Sequence, residues 1–383
     1  MKKIINILFA SILALSLANF AQAGEMTVTG SAQATYTITS SDSATAQTNK
    51  SPGFGMSNEL AFNASGEFGN GYTWTYQVEL DPASGASGAA LNDDTRLELG
   101  LGDLGTIGIY GSEGDLNTHL SNSVAAYAPG HDIGSTGSYQ GGTGMNSYNN
   151  LQYHTPAGLL PFGTSVKLGW SNGDSAQSAD ANDAGSAETK DVHSYQVTTK
   201  PIDGLTVGAS YLEKTDSGSA ILQKYETGGA YAKYNVGAFS FGIGRHYVAP
   251  NTNSGGTTSL AKTDALITAN ANTAVYSAAS DGSSTIDAGV EYFKNDAVSI
   301  AFAANENLSF SWDRLTSYAR AKQVDADAAA DVDVSRELEI TSIQAAYNIG
   351  GAVVAVGQKN VDGNGYAQGK NLKETVLSLK MAF

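Results

Sequence analysis

From Gly24 onward, apolar and polar side chains take turns along the chain. Val28, Gly30, Ala32, Ala34, Tyr36 and Ile38 alternate with Thr27, Thr29, Ser31, Gln33, Thr35 and Thr37. Tyr72, Trp74, Tyr76, Val78 and Leu80 alternate with Thr73, Thr75, Gln77 and Glu79. Successive side chains on a strand point to opposite faces, so a period of two makes each run a strand with one apolar and one polar face. Sixteen such runs cover 25–38, 56–68, 72–81, 93–102, 105–111, 148–155, 164–171, 191–199, 204–213, 224–236, 238–248, 284–304, 308–320, 337–348, 352–360 and 372–383. The run 284–304 is long for one strand. Phe293-Lys-Asn-Asp-Ala297 reads as a turn inside it, so a kinked strand or a small hairpin is expected there.

The connections alternate in length. Short ones such as Gly69-Asn-Gly71, Pro201-Ile-Asp203 and Gly350-Gly351 are separated by long polar segments: 39–55, 82–92, 112–147, 172–190, 214–223, 249–283, 321–336 and 361–371. An even strand count with short turns at one end and long loops at the other is the pattern of a transmembrane barrel. The polar face repeats Thr, Ser, Gln, Asn and Gly, which cannot fill a dry interior. A sixteen-strand sheet closed around it encloses water, and its apolar face meets lipid. Aromatic residues recur near the ends of the apolar face, at Tyr36, Phe68, Tyr72, Trp74, Trp170, Tyr211, Tyr234, Phe239, Trp312 and Tyr347, as two interfacial girdles would require. The fold class expected is all-β, a 16-stranded antiparallel transmembrane β-barrel.

Both ends carry address-like features. Lys2 and Lys3, the apolar stretch Ile4 to Leu17 and Ala21-Gln-Ala23 form a secretory signal peptide over 1–23, leaving a barrel domain over 24–383. Thr375, Leu377, Leu379, Met381 and Phe383 alternate up to the last residue, and Phe383 resembles the terminal aromatic by which outer-membrane proteins address the barrel-assembly machinery.

Taken with Gly24-Glu-Met-Thr-Val-Thr-Gly30, Leu99-Gly-Leu-Gly-Asp-Leu-Gly-Thr-Ile-Gly-Ile-Tyr-Gly111 and Leu377-Ser-Leu-Lys-Met-Ala-Phe383, the chain resembles a general porin of the Gram-negative outer membrane, the α-proteobacterial type among them. The resemblance implies a homotrimer of sixteen-stranded barrels, one aqueous pore in each, with the third external loop (112–147) folded inward as a constriction. Many relatives carry an arginine at the end of the fifth strand, where this chain has Tyr110-Gly111.

Composition narrows the chemistry. With no cysteine there is no disulfide framework, thiol nucleophile or Cys-ligated metal. The balance of 21 Lys+Arg against 37 Asp+Glu gives −16, which argues against a nucleic-acid partner. No histidine pair sits at metal-ligand spacing, and no nucleophile elbow or phosphate loop follows a strand–helix pattern, so neither enzyme activity, metal nor cofactor is expected. The acidic stretch Asp325 to Asp333 reads as a solvated loop, with Ca²⁺ binding as the alternative.

Candidate pore residues follow from the loop and from parity. Within 112–147 lie Glu113, Asp115 and Asp132 and no Lys or Arg. Parity turns Arg96 and Lys167 inward as cations opposing that acidic rim, and makes Glu59, Glu67, Glu79, Glu98 and Lys233 lumen-facing. Arg245 and Arg314 share parity with apolar residues. They are expected beyond the girdle or after a bulge, with Arg314 and Arg320 as competing waist cations. The function expected is passive diffusion of small hydrophilic solutes and ions with a mild cation preference, in contact with outer-membrane lipid and lipopolysaccharide. A structural or adhesive barrel and a substrate-selective porin are the alternatives.

Overall fold

The computed structural model describes the chain except residues 1–23, 44–45, 81–91, 112, 120, 135–138, 143, 148, 173–188, 217–220, 251, 254–287, 324–332 and 367–370. The expected signal peptide lies outside the described residues, as does all but Asp333 of the acidic stretch.

Sixteen strands close into one antiparallel barrel. In chain order they are β1 (Glu25–Ser43), β2 (Ala46–Glu67), β3 (Thr73–Leu80), β4 (Asn92–Gly100), β5 (Thr106–Gly111), β6 (Asn150–His154), β7 (Ser165–Ser171), β8 (Thr189–Thr199), β9 (Leu205–Asp216), β10 (Tyr225–Val236), β11 (Phe239–Ala249), β12 (Ala288–Ala303), β13 (Leu308–Gln323), β14 (Asp333–Ile349), β15 (Ala352–Asp362) and β16 (Asn371–Ala382). Each pairs with its sequence neighbours, and β16 returns to β1 from Ser31↔Ala382 to Asp42↔Asn371. Where a strand has neighbours on both sides, closure satisfies its ladder N–H and C=O groups without water, while β2 before Leu60 pairs with β1 alone. A further short pair, Ile221–Gln223 with Thr252–Asn253, stands outside the barrel sheet.

Tight turns join strands at one end. Gly350 and Gly351 have φ of +55° and +100°, conformations that a two-residue hairpin loop of right-handed twist demands and that only glycine adopts without strain. The alternation sorts as expected. On β16, Leu377, Leu379 and Met381 are exposed on the outer surface, while Leu372, Glu374, Val376 and Ser378 face inward and are buried. Ring contacts between Phe239 and Phe302 (5.0 Å) and between Tyr247 and Tyr292 (6.0 Å) mark two levels of the outer surface.

Three expectations are corrected. Residues 39–55, expected as a loop, are mostly strand: β1 and β2 stay paired to Ser43↔Ala46, an extended ribbon that polar Ser and Thr sustain in water. The expected turn at 293–297 does not exist. Phe293 to Ala297 pair continuously with both β11 and β13, and the irregularity is a register shift between Val290 and Tyr292. The polar run Lys294-Asn-Asp296 looked like a turn because its charges face outward, where Asp296 meets Arg245. Arg245 and Arg314 lie neither beyond the girdle nor after a bulge. Their register is unbroken, and they share the outer face with Ile243 and Trp312.

Candidate functional site: the inner loop and the wall it faces

Between β5 and β6 the chain enters the barrel and follows the inner wall strand by strand. Leu116 C=O accepts from Gln196 Nε2 of β8 (3.0 Å). Thr118 N–H donates to Ser210 Oγ of β9 (3.0 Å). Ser299 Oγ of β12 donates to Asn122 C=O (2.9 Å) and accepts from Val124 N–H (3.2 Å). Ala126 N–H reaches Ser311 Oγ of β13 (2.8 Å). Gln344 of β14 accepts from Tyr127 and Ala128 N–H (3.1 Å each) and donates to Ala128 C=O (2.7 Å). A polypeptide without regular structure has unpaired N–H and C=O groups, which are costly to bury. Here the wall's Ser and Gln side chains supply the partners that a second strand would otherwise provide.

Shape matters as much as hydrogen bonding. Asn122 passes so close to β11 that a Cβ on Gly242 would collide with its carbonyl oxygen. On β15, Ile133 packs over Gly357. A side chain at Gly242 would lift the loop off the wall.

Beneath the loop's far end, Lys359 of β15 and Glu374 of β16 form a fully buried pair at 2.9 Å. Lys359 Nζ also donates to His131 C=O (3.3 Å), and Glu374 accepts from Thr39 Oγ1 of β1 (3.0 Å). Buried charges persist when paired and hydrogen-bonded, and this pair ties the loop, two barrel strands and the closing seam together. The returning limb is held by Tyr366, from the β15–β16 connection. Its Oη accepts from Gln140 N–H (3.1 Å) and lies 2.7 Å from Ser317 Oγ, and burial pushes its phenol up to about 12. Tyr127 Oη accepts from Gln33 Nε2 of β1 (2.5 Å), carrying the loop's contacts past the β16–β1 seam.

The candidate residues divide accordingly. Arg96 does not oppose Glu113 across the opening. The two form an ion pair at 3.1 Å, because Glu113 directly follows β5 and Arg96 pairs with Tyr110 in the adjoining register. Burial pushes the Glu113 carboxyl above its usual range, and Arg96 opposes that shift. Asp115 ties its own loop, accepting from Asn117 N–H (2.9 Å) and Met145 N–H (3.2 Å). Asp132 is half-exposed beside His131 at 3.0 Å; burial acts to raise its carboxyl, and the His131 hydrogen bond and charge outweigh it and lower the group overall. Glu98 accepts from Tyr110 Oη (2.5 Å) and Thr75 Oγ1 (3.2 Å), Glu59 accepts from Ser31 Oγ (3.2 Å), and Glu79 from Gln77 Nε2 (3.4 Å). Glu67 is at the turn end of β2, opposite Thr73. Lys167 is on β7 opposite His154 and Gln196, and Lys233 is on β10 with its Nζ 6.0 Å from the Tyr231 ring. Arg314 and Arg320 leave the lumen altogether, pairing outside with Glu339 (2.5 Å) and Glu291 (3.1 Å).

His119 belongs to the same inner loop. It sits against the wall with its ring 5.7 Å from His246 and 6.2 Å from Tyr139, and burial lowers it to about 4. Reading along the chain could not find Lys359, Glu374, Gln344 or Tyr366, because each is an unremarkable strand or turn residue until the loop lies on it.

A closed barrel that is apolar outside, polar inside and crossed by an inward loop defines a membrane channel of the porin class. Over residues 9–292 the chain matches the model of the Gram-negative porin family, and it belongs to that family. Its place is therefore the Gram-negative outer membrane. The match does not resolve the α-proteobacterial branch. No curated protein matches the chain in sequence. Among solved structures it is similar to an anion-selective porin from Comamonas acidovorans (TM-score 0.61, 13% identity, covering 94% of this chain and 100% of that one). It is also similar to Salmonella typhi OmpF in complex with daunomycin (0.58, 15%, 95% and 100%) and to a trimer form of in-vitro folded Vibrio cholerae OmpT (0.54, 12%, 94% and 100%). At such identities the likeness concerns the fold.

Proposed function

We propose that this porin is a passive-diffusion channel for small hydrophilic solutes and ions, with a mild cation preference and no catalytic role. The loop 112–147 forms its constriction. One observation carries the preference: the wall of β1–β4 facing the loop bears Glu59, Glu79 and Glu98, while its cation, Arg96, is already paired to Glu113. A narrow aqueous passage between low-dielectric walls strengthens such a field relative to bulk water, so cations accumulate and anions are depleted. Lys167 and Lys233 moderate the field. The reversal potential of the purified protein across a bilayer in a KCl gradient tests this. A cation-selective sign at low salt, fading as the Debye length falls from ~30 Å at 0.01 M to ~3 Å at 1 M, is expected. An anion-selective sign overturns it.

The functional unit is a homotrimer. The trimer form among the structural neighbours supports this, as does the exposed apolar outer face of β1 and β2, where Met26, Val28, Phe54 and Met56 stand out. Phe383 acts in assembly: its backbone exchanges hydrogen bonds with Gly30 (2.8 and 3.0 Å), the last pair of the β16–β1 seam, while its ring stays exposed.

A further inference from the structure

Next to the Arg96–Glu113 pair, on the side of the short turns, the lumen wall of β1–β4 opens into a bay of about 230 Å³. Two successive rows of inward-facing residues make its floor. Thr27, Asn63, Gln77 and Arg96 lie side by side in one, and Glu25, Ser65, Thr75 and Glu98 in the other. All eight are polar, which gives the bay a floor without an apolar side chain. Neighbouring strands stand ~4.8 Å apart and successive inward positions ~7 Å, so the floor spans about 14 by 7 Å.

The pairing within this floor is uneven. Its arginine is turned to Glu113 at 3.1 Å, and among the described residues neither Glu25 nor Glu98 forms an ion pair. Glu98 accepts from Tyr110 Oη (2.5 Å) through one oxygen and from Thr75 Oγ1 (3.2 Å) through the other. A carboxylate offers about four lone-pair sites, so half of its capacity remains. Asn63 and Gln77 donate their amide nitrogens to Thr29 Oγ1 (3.2 Å) and Glu79 Oε2 (3.4 Å). Among the described residues, no protein donor reaches their amide oxygens. The bay thus presents an un-neutralised carboxylate beside amide acceptors, hydroxyls and the further N–H groups of Arg96.

We infer that this bay is a binding station for a polyhydroxylated ammonium solute, an amino sugar, with its ammonium on Glu98 and its ring hydroxyls on Asn63, Gln77 and Arg96. The inference rests on the reading of the lumen as an aqueous channel and names a solute class for it. A neutral sugar leaves Glu98 without a cation, and a plain amine leaves the amide oxygens without donors; an amino sugar supplies both. Pockets for drug-sized ligands run about 300–1,000 Å³, so a bay below that range suits a single ring.

The test uses the purified porin in a planar bilayer at about pH 6, where an amine is protonated and an ordinary carboxylate ionised. D-glucosamine is titrated in while the KCl conductance is read, since a solute held in the passage obstructs ion flow. The conductance should fall saturably. Glu98→Gln, which keeps an acceptor for Tyr110, should need roughly tenfold more glucosamine for half the effect, as expected for loss of a charge-assisted contact. D-glucose and cyclohexylamine, which lack the charge and the hydroxyls respectively, should each need a similar excess on the wild type. Asn63→Ala/Gln77→Ala should weaken the response to glucosamine and leave that to cyclohexylamine unchanged. Equal half-effects for wild type and Glu98→Gln overturn the proposal, as does glucose or cyclohexylamine acting as well as glucosamine. A double alanine variant that responds to glucosamine as wild type does also overturns it. Because that variant alters no charge, its reversal potential in KCl should match wild type. A cation-selective channel that glucosamine does not obstruct saturably defeats the bay alone, whereas an anion-selective sign defeats the channel reading.

Discussion

At the residue scale, the lumen's charge depends on pairings as much as on which residues are present. Glu113 sits half-buried beside Arg96, and burial raises its carboxyl above the ordinary range. A raised carboxyl takes up its proton at higher pH than a free glutamate, so the lumen loses that negative charge earlier as pH falls. Cation preference should therefore begin to weaken above the pH at which ordinary carboxylates titrate. Reversal potentials measured from pH 7 downward should show this early component in the wild type and lose it in Glu113→Gln. Arg96→Gln should raise the preference at pH 7, since it leaves the surrounding carboxylates unopposed. His119 works in the other direction. Its buried ring is lowered to about 4, against about 6.5 for an exposed imidazole. The docked loop holds His119 neutral, so docking keeps its full stability above about pH 6.5 and loses it as pH falls toward 4. The groups around it are His131, His246, Asp132 and Tyr139. Current fluctuations and closures should increase across that window and be blunted in His119→Gln, recorded at fixed voltage.

At the element scale, the inner loop is held by a ladder of side chains where a strand would have a ladder of backbone. Losing one rung leaves buried backbone groups unpaired. Gln344→Ala removes the partner of three loop groups at once and should widen the spread of single-channel conductances while the barrel still folds. Lys359→Met is expected to be harsher. It strands Glu374 uncompensated beneath the loop, and breaking a buried pair by removing one partner typically costs about 3–5 kcal/mol. The unfolding temperature in detergent should fall clearly, and the double replacement Lys359→Met/Glu374→Leu should recover most of the loss. If the single variant is as stable as wild type, the pair is not an anchor.

At the scale of the whole molecule, closure of the barrel and association of its copies rest on surfaces at its seam and outer wall. Removing Phe383 deletes the final backbone pair with Gly30 and the terminal aromatic together. Folded protein in the outer membrane should drop while export continues, as cell fractionation would show; normal barrel levels would exclude an assembly role. On the proposed trimer face, Met56→Asp places a charge on an exposed apolar position of β2 and should shift the protein from trimer to monomer in unheated gels. Its reversal potential should stay close to wild type, because each lumen is complete within one chain.

Strand number, the inside and outside of nearly every strand and the polar lumen could all be read from the period of two, since a strand's side chains alternate whatever they pack against. Glu59, Glu98 and Lys167 were turned inward on that ground alone, and Arg245 and Arg314 were set apart because they broke the pattern. The pattern could not say why. Only folding brings Asp296 and Glu339 from neighbouring strands against those arginines, which makes a charged outer patch of what looked like a turn and two misplaced cations. The loop was least legible of all. Its course depends on Ser210, Ser299, Ser311, Gln344 and Lys359, residues scattered over five strands that become one track only when the sheet closes. The pairing of Arg96 with Glu113 likewise follows from the β4–β5 register and the loop's first step, a distance in space that spacing along the chain does not encode.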